Sequence, residues 1–420
     1  MVAFSNSQDF AVSMDTKDPL AHFRERFYFP KDPSGNTLLY FCGNSLGLQP
    51  KTVRAYIEQE LSDWEQLGVE GHFQAKNPWM PYHEFLTEKM ANIVGAKPLE
   101  TVVMNSLTVN LHLMMVSFYR PTKEKYKIVI EKNAFPSDQY AVKSQISFHG
   151  FNPEEALIEV SPRPGEDMLR TEDVEQLLEE EGHSIALVLF GGVNYYTGQA
   201  FDIKRITIAA HKNNCLAGFD LAHAAGNIVL QLHDWQVDFA VWCSYKYLNS
   251  GPGGISGCFV HEKYANDTML PRFAGWWGHD KKTRFLMGSE FYPIAGAEGW
   301  QLSNPPILPL ASLRASLDIF EEAGMQQLVQ KSKWLTGYLE FLLIELKNER
   351  IQIITPKEER GAQLSMRIKN SNKTLFNQLI QTGVICDWRE PDVIRLAPVP
   401  LYNSFLDVYL FVLRLKSVLL

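Results

Sequence analysis

The sequence predicts an α/β fold: a large unit with a mainly parallel central sheet, followed by a smaller C-terminal α+β unit. Three observations predict it. Short apolar runs alternate with helix-periodic segments between residues 101 and 261. The polar residues that interrupt those runs fall at their carboxyl ends, where open parallel sheets bind ligands. After residue 310 the texture changes to long helical segments and short strands.

Thr101 to Met104 reads as a strand, Asn105-Ser106-Leu107-Thr108 as a capping segment, and Val109 to Tyr119 as a helix. Lys127 to Glu131 is a second strand, and Ser184 to Phe190 is a third, a continuous apolar run of the kind buried on both faces. A helix from Ile203 to Asn213 leads to strands at Cys215 to Phe219, Asp238 to Cys243 and Gly257 to His261. Beyond, Leu310 to Leu346 is helical, Ile351 to Ile354 and Gln363 to Ile368 are strands, and Thr374 to Thr382 is a helix. Val393 to Ala397 is a last strand and Ser404 to Val418 a closing helix. The expected organisation is an arm over 1–50 packed on the small unit, a large unit over 51–309 and the small unit over 310–420.

The chain has 420 residues, of which 45% are hydrophobic and 21% charged, so it is globular rather than disordered. The formal net charge of -8 argues against nucleic acid and anionic membrane as partners. No apolar run reaches the length of a membrane span, and the N-terminus lacks a secretory pattern. The five cysteines include no CxxC pair, which fits reduced thiols in a cytoplasmic protein. The histidines, among them His211, His223 and His233, show no ligand spacing, so no metal is expected.

Several strand ends carry chemistry. Lys246 follows an apolar strand and precedes Gly251-Pro-Gly-Gly254; such a lysine is either solvated or aimed into a cleft, where it can form a Schiff base. Asp220 either caps the segment starting at Leu221 or pairs with a protonated pyridine nitrogen. Asn105 to Thr108 is either a plain N-cap or a phosphate cup. Phe135 is either core or a stacking platform for a planar ring. Cup, stacker, carboxylate and lysine at successive strand ends form the working set of an aminotransferase-type pyridoxal-phosphate (PLP) enzyme.

The chain resembles the kynureninases, hydrolases of the class-V branch of fold-type-I PLP enzymes. The likeness runs from Phe41-Cys-Gly-Asn-Ser-Leu-Gly47 to Arg395-Leu-Ala-Pro-Val-Pro-Leu-Tyr-Asn-Ser404. Between them stand Phe135-Pro-Ser-Asp138, Tyr195-Tyr-Thr-Gly198, Gly218-Phe-Asp-Leu-Ala-His-Ala224, Cys243-Ser-Tyr-Lys-Tyr-Leu248 and Gly275-Trp-Trp-Gly-His279. The resemblance implies the aminotransferase-like type I fold and hydrolysis of L-kynurenine or 3-hydroxy-L-kynurenine to anthranilate or 3-hydroxyanthranilate plus L-alanine. It assigns Lys246 to the Schiff base and Asp220, with His223 nearby, to the pyridine nitrogen. Phe135 would stack on the ring, Leu107 and Thr108 would hold phosphate, and Asp138 and Asn304 would also lie against the cofactor. Tyr245 would contact phosphate and move a proton, and Trp276 would reach the phosphate from the second subunit of a homodimer. Ser45, His72, Ser303 and Asn304 match substrate-side positions, and Arg395 matches the arginine that grips the substrate carboxylate. Gly191 stands where the family often has a serine beside the phosphate; a backbone amide can serve there instead. Trp277 stands where relatives often have phenylalanine.

Two other readings stand beside this one. A class-V cysteine desulfurase or lyase needs a nucleophilic thiol, for which Cys386 is the late candidate; its apolar surroundings read as core. A cofactor-binding protein without turnover would explain the same motifs.

Overall fold

The computed structural model describes residues 3–369 and 373–419. Its strands are β1 (Leu39–Tyr40), β2 (Thr101–Val103), β3 (Lys127–Glu131), β4 (Leu157–Val160), β5 (Ile185–Gly191), β6 (Leu216–Asp220), β7 (Phe239–Trp242) and β8 (Gly257–Val260). They continue with β9 (Ile351–Ile353), β10 (Leu364–Ile368), β11 (Val384–Ile385), β12 (Asp387–Arg389) and β13 (Val393–Leu396).

A seven-stranded sheet runs in the order β2-β8-β7-β6-β5-β3-β4. The pairs β3–β4, β3–β5, β5–β6 and β6–β7 are parallel, as expected from strands joined through helices. β8 is antiparallel to both neighbours, because the chain between β7 and β8 turns back through a loop instead of crossing over in a helix. Alternate residues of the parallel strands go to opposite cores. Val129, Val188 and Phe219 join one buried cluster, and Ile128, Leu187 and Val241 join the other. This double burial explains the unbroken apolar runs. A third cluster unites Ala11, Met14 and Phe41 with Leu335, Leu364, Ile394 and Phe411. Beside it lies a four-stranded antiparallel sheet, β12-β13-β10-β9.

The expected strands and helices form to within a few residues, and the helical stretch after 310 is two helices, Ile307–Ala323 and Met325–Glu345, divided at Gly324 (φ 74°). Four strands carry no sequence signal strong enough to read. β1 and β11 have two residues each, β12 is the polar triplet Asp387–Arg389, and β4 is only partly buried.

The parallel register fixes the site's location. Gly191 is paired with Asp220, and Asp220 with Val241. The carboxyl ends of β3, β5, β6 and β7 therefore open on one edge, and the β7–β8 loop crosses it. That loop is tied at its base: the Ser244 and Ser250 hydroxyls lie 2.6 Å apart, and Asn249 N–H donates to the Lys246 carbonyl at 3.1 Å. The N-terminal arm clamps it, with Gly47 N–H donating to the Tyr245 carbonyl at 2.9 Å. A Cβ at Gly47 would come within 2.8 Å of Asn249 Cα, backbone that cannot step aside cheaply. Gly47→Ala is accordingly expected to cost about 1–3 kcal/mol in urea unfolding through overpacking; an unchanged midpoint would contradict this clamp.

Candidate active site

Nine of the residues singled out in the sequence line one cavity of about 620 Å³, counting its open mouth: Leu107, Thr108, Phe135, Asp138, Gly191, Asp220, His223, Tyr245 and Lys246. Ser137, Glu131 and Tyr195 complete much of its wall.

Two helices start at this cavity. Leu107–Phe118 begins after Asn105, which is held at φ 50° while Asn110 Nδ2 ties back to the Met104 carbonyl at 2.9 Å. Pro136–Phe148 begins with Pro136 in its first turn. Neither N-terminus is capped by a side chain, so backbone donors and the positive ends of both helix dipoles remain for an anion. Thr108 Oγ1 and Ser137 Oγ lie 3.0 Å apart between them. This half of the cavity suits a phosphate.

The other half is acidic. Asp220 Oδ1 accepts the Ala222 N–H at 2.7 Å, which fixes the carboxylate at the strand end. Burial raises Asp220's pKa, and the Ala222 amide, Lys246 and Asp138 oppose the rise. Asp138 is pushed well up by burial and then by the neighbouring Asp220, so Asp138 carries the proton of the pair and Asp220 the charge. Glu131 lies behind them, with its Oε2 accepting the Gly191 N–H at 3.1 Å. Burial raises its pKa to about 7. Gly191 is therefore engaged at the level of Asp220, and its amide is not left for a phosphate. A Cβ there would sit 3.0 Å from Glu131 Oε1, so a side chain would require Glu131 to give by a few tenths of an ångström.

Lys246 Nζ stands 2.9 Å from His223 Nε2 and 5.8 Å from the centre of the Phe135 ring. Burial and the Lys246 charge push His223 well below its ordinary range, so its imidazole is neutral. With Lys246 donating, Nε2 is the acceptor and Nδ1 carries the hydrogen. That Nδ1 is buried with no partner among the described residues, as is Asp138 Oδ1. Phe135 is 46% exposed, packed edge-on to Tyr195 at 5.2 Å; it is not core. Tyr245 is raised by burial and stays a neutral phenol. The cavity thus offers a phosphate cup, a bare aromatic face, a buried anion, two unsatisfied buried polar atoms and a lysine. Those parts fit PLP.

Ser45 and Arg395 lie apart from this wall but together. Arg395 on β13 is 1% exposed, donates from Nη1 to the Tyr195 carbonyl at 2.7 Å and from Nη2 to Ser45 Oγ at 3.1 Å, and is gripped side-on by Asp387. His72, Trp276, Ser303 and Asn304 do not line the cavity. His72 bonds the Val69 carbonyl, and Trp276 (43% exposed) abuts Phe285. Ser303 and Asn304 are exposed, and Trp277 N–H bonds the Leu302 carbonyl at 3.1 Å, which joins the two segments. Cys386 is buried, with its thiol pushed well up by burial, which is unsuited to the nucleophile a desulfurase needs. The expectation that histidines stay apart from other ligand groups needs correcting. Glu100, His233 and His261 converge within 4.8 Å, and so do His83, Glu84 and Glu298. Sequence separations above 130 residues hide the first group. Glu100 there already accepts the Lys97 and Glu262 amides at 2.8 Å, and Lys281 already bridges Glu84 and Glu298.

Sequence reasoning left out Glu131, Ser137, Tyr195 and Asp387. Glu131 was readable by the rule that found Asp220, being the acid that ends an apolar strand. Ser137 and Tyr195 lie inside the quoted motifs. Asp387 had no signal, because β12 has no apolar pattern.

Glu131 is protonated at low pH and costs stability when ionised. Its folded pKa lies above its ordinary 4.5, so its stabilising contribution is full below 4.5 and lost as pH rises through about 7. Glu131→Gln in the cofactor-free protein is expected to gain on the parent by on the order of 3 kcal/mol between pH 4 and pH 8, measured by denaturant unfolding. A difference independent of pH would contradict this.

A family profile described as the kynureninase C-terminal domain matches residues 328–415. A kynureninase of Koribacter versatilis is 63% identical over 414 residues and covers 98% of both chains. One of Myxococcus xanthus is 58% identical over 416 residues, covering 99% of this chain and 98% of the relative. One of Mus musculus is 51% identical, covering 97% and 92%. Among solved structures, the cysteine desulfurase CsdA of Escherichia coli has a TM-score of 0.77 at 16% identity, covering 95% of this chain and 98% of its own. A C-DES variant with glycine linked to its PLP cofactor reaches 0.78 at 15%, covering 94% and 99%. These structures share the aminotransferase-like fold alone. Identity above 50% over nearly the whole length with kynureninases of bacteria and mouse decides the narrower question: the chain belongs to the kynureninase family.

Proposed function

We propose that this protein hydrolyses L-kynurenine or 3-hydroxy-L-kynurenine to anthranilate or 3-hydroxyanthranilate plus L-alanine, with PLP on Lys246. The observation that carries the reading is the single cavity joining Lys246, His223, Asp220, Phe135 and Thr108, in a chain 63% identical to a protein named kynureninase. The reaction belongs to tryptophan breakdown or NAD synthesis.

When bound, PLP supplies the electron sink for the carbanion beside the substrate's amine. The residues do the rest. Asp220 would serve as the counter-ion of the pyridine nitrogen, with Asp138 as its proton-bearing partner and His223 in the same wall. Phe135 would cover the ring. Leu107 and Thr108 would hold the phosphate through amides and hydroxyl, with Tyr245 as a further contact. Lys246 Nζ takes the proton from the substrate's α-carbon. Water adds to the side-chain ketone, the bond between the ketone carbon and the alanine side breaks, and the ketone leaves as the aryl carboxylate. Tyr245, whose phenol stays protonated, supplies the proton to the carbon that becomes alanine's methyl group and recovers one from the added water, and Lys246 returns its proton to the α-carbon. Arg395 grips the α-carboxylate, with Ser45 beside it.

His72, Trp276, Ser303 and Asn304 serve a second copy's cavity in a homodimer, Trp276 at the phosphate and the others at the aryl ketone. The exposure of Trp276, Phe285, Leu286 and Met287 on one loop supports this. The arm over 1–50 belongs with the small unit over 310–420, around the large unit over 51–309; the shared core of Ala11, Met14 and Phe411 supports that division. Among the described residues no helix is long and apolar enough to cross a membrane, and we assign the enzyme to the cytoplasm.

The test is product formation by the PLP-loaded protein from both substrates in parallel. Aryl carboxylate and alanine in equal amounts are expected, and absence of both would overturn the reading. Lys246→Ala is expected to abolish turnover and the visible absorbance of bound cofactor together. Arg395→Lys, which keeps charge but loses the fork, is expected to lower kcat/KM by on the order of 10²-fold, chiefly through KM.

A further inference from the structure

Asp387 makes the bonds that a substrate carboxylate would make. Its Oδ1 accepts Arg395 Nε at 2.6 Å, and its Oδ2 accepts Arg395 Nη2 and, at 2.6 Å, the Ser45 hydroxyl. Both side chains read as the α-carboxylate's holders are thus filled by one internal carboxylate. The strand geometry builds this in: Asp387 is directly opposite Arg395 in the antiparallel pair β12–β13. Neither Arg395 nor Ser45 reaches the wall of the Lys246 cavity in this arrangement.

A second arginine waits beside it. Arg389, two residues along β12 and so on the same face, touches Asp387 Oδ2 through Nη2 at 3.2 Å. Its Nε is buried without a partner among the described residues. Its side chain is 38% exposed against 1% for Arg395. Asp387 therefore has two cationic partners, one saturated and one with a free donor.

We propose that Asp387 is a carboxylate latch that occupies the α-carboxylate site of the unliganded enzyme, and that Arg389 receives Asp387 when a substrate carboxylate displaces it from Arg395. The proposal rests on the reading of Arg395 as the carboxylate grip. The exchange leaves the buried guanidinium neutralised throughout, because one carboxylate replaces another. A ligand without a carboxylate can dislodge Asp387 only by leaving Arg395 buried and unpaired. An amine therefore binds with the latch closed, and only a ligand that brings its own carboxylate exchanges with Asp387.

The experiment compares the PLP-loaded parent with Asp387→Asn, Arg389→Gln and Arg395→Lys. Affinity for L-kynurenine and for its decarboxylated analogue is read by calorimetry, alongside steady-state kcat and KM. Asp387→Asn is expected to tighten L-kynurenine about tenfold, lowering KM more than kcat, with the amine analogue unchanged within twofold. Arg389→Gln is expected to weaken L-kynurenine about fivefold with no change in melting temperature. Weaker L-kynurenine binding in Asp387→Asn, or an equal shift for both ligands, would overturn the latch and make Asp387 an orienting partner only. If Asp387→Asn does not fold, Arg389→Gln decides, and parental affinity there overturns the proposal. Unchanged affinity in Arg395→Lys would overturn the grip itself and the latch with it, whereas absence of turnover with these binding shifts intact would tell against the reaction and not the latch.

Discussion

Carboxylates outnumber cations at the open edge of the sheet, and much of the site follows from that imbalance. The parallel register sets Gly191 beside Asp220 and brings Glu131 in behind, while Asp138 arrives on the next helix. Lys246 is the one cation in the cavity wall. Three acids facing one ammonium in a buried space cannot all ionise. The protein resolves this by protonating Asp138, leaving Asp220 charged and holding Glu131 near neutrality. A pyridinium ring entering this space would bring the missing positive charge. Burial keeps Tyr245 protonated, and burial with the Lys246 charge keeps His223 neutral.

On the proposed latch, rigid and adjustable parts divide along the two sheets. The Lys246 loop is pinned by Ser244, Ser250 and Asn249 and clamped from the arm through Gly47. The carboxylate end is built on β12 and β13, where a polar three-residue strand carries Asp387 and Arg389. Cofactor chemistry needs fixed distances. Substrate admission needs a group that can change partners. The division places each demand on the sheet that meets it.

Much of this was legible in the sequence because a doubly buried parallel strand writes an unbroken apolar run. Ile185 to Phe190 is the clearest case, and the polar residues that follow the carboxyl ends of such runs open on the edge where ligands bind. That rule located Asp220 and Lys246, and applied consistently it locates Glu131 as well. What escaped did so for physical reasons. β12 buries no continuous apolar face, so Asp387 looked like loop. The Gly191 amide reads as able to serve a phosphate, because only the folded contact reveals that Glu131 takes it. Glu100 and His233 meet through tertiary folding across 133 positions. His72, Trp276, Ser303 and Asn304 lie outside the one-chain cavity, where a single sequence read by spacing has nothing to report.

The central claim is that Lys246, held 2.9 Å from His223 in the cavity it shares with Asp220, is the attachment point of the cofactor. Borohydride reduction of the PLP-treated protein, followed by peptide mass analysis, tests it most directly. The account predicts one pyridoxyl adduct per chain, on the peptide that contains Lys246. An adduct spread over surface lysines, with the Lys246 peptide unmodified, would contradict it.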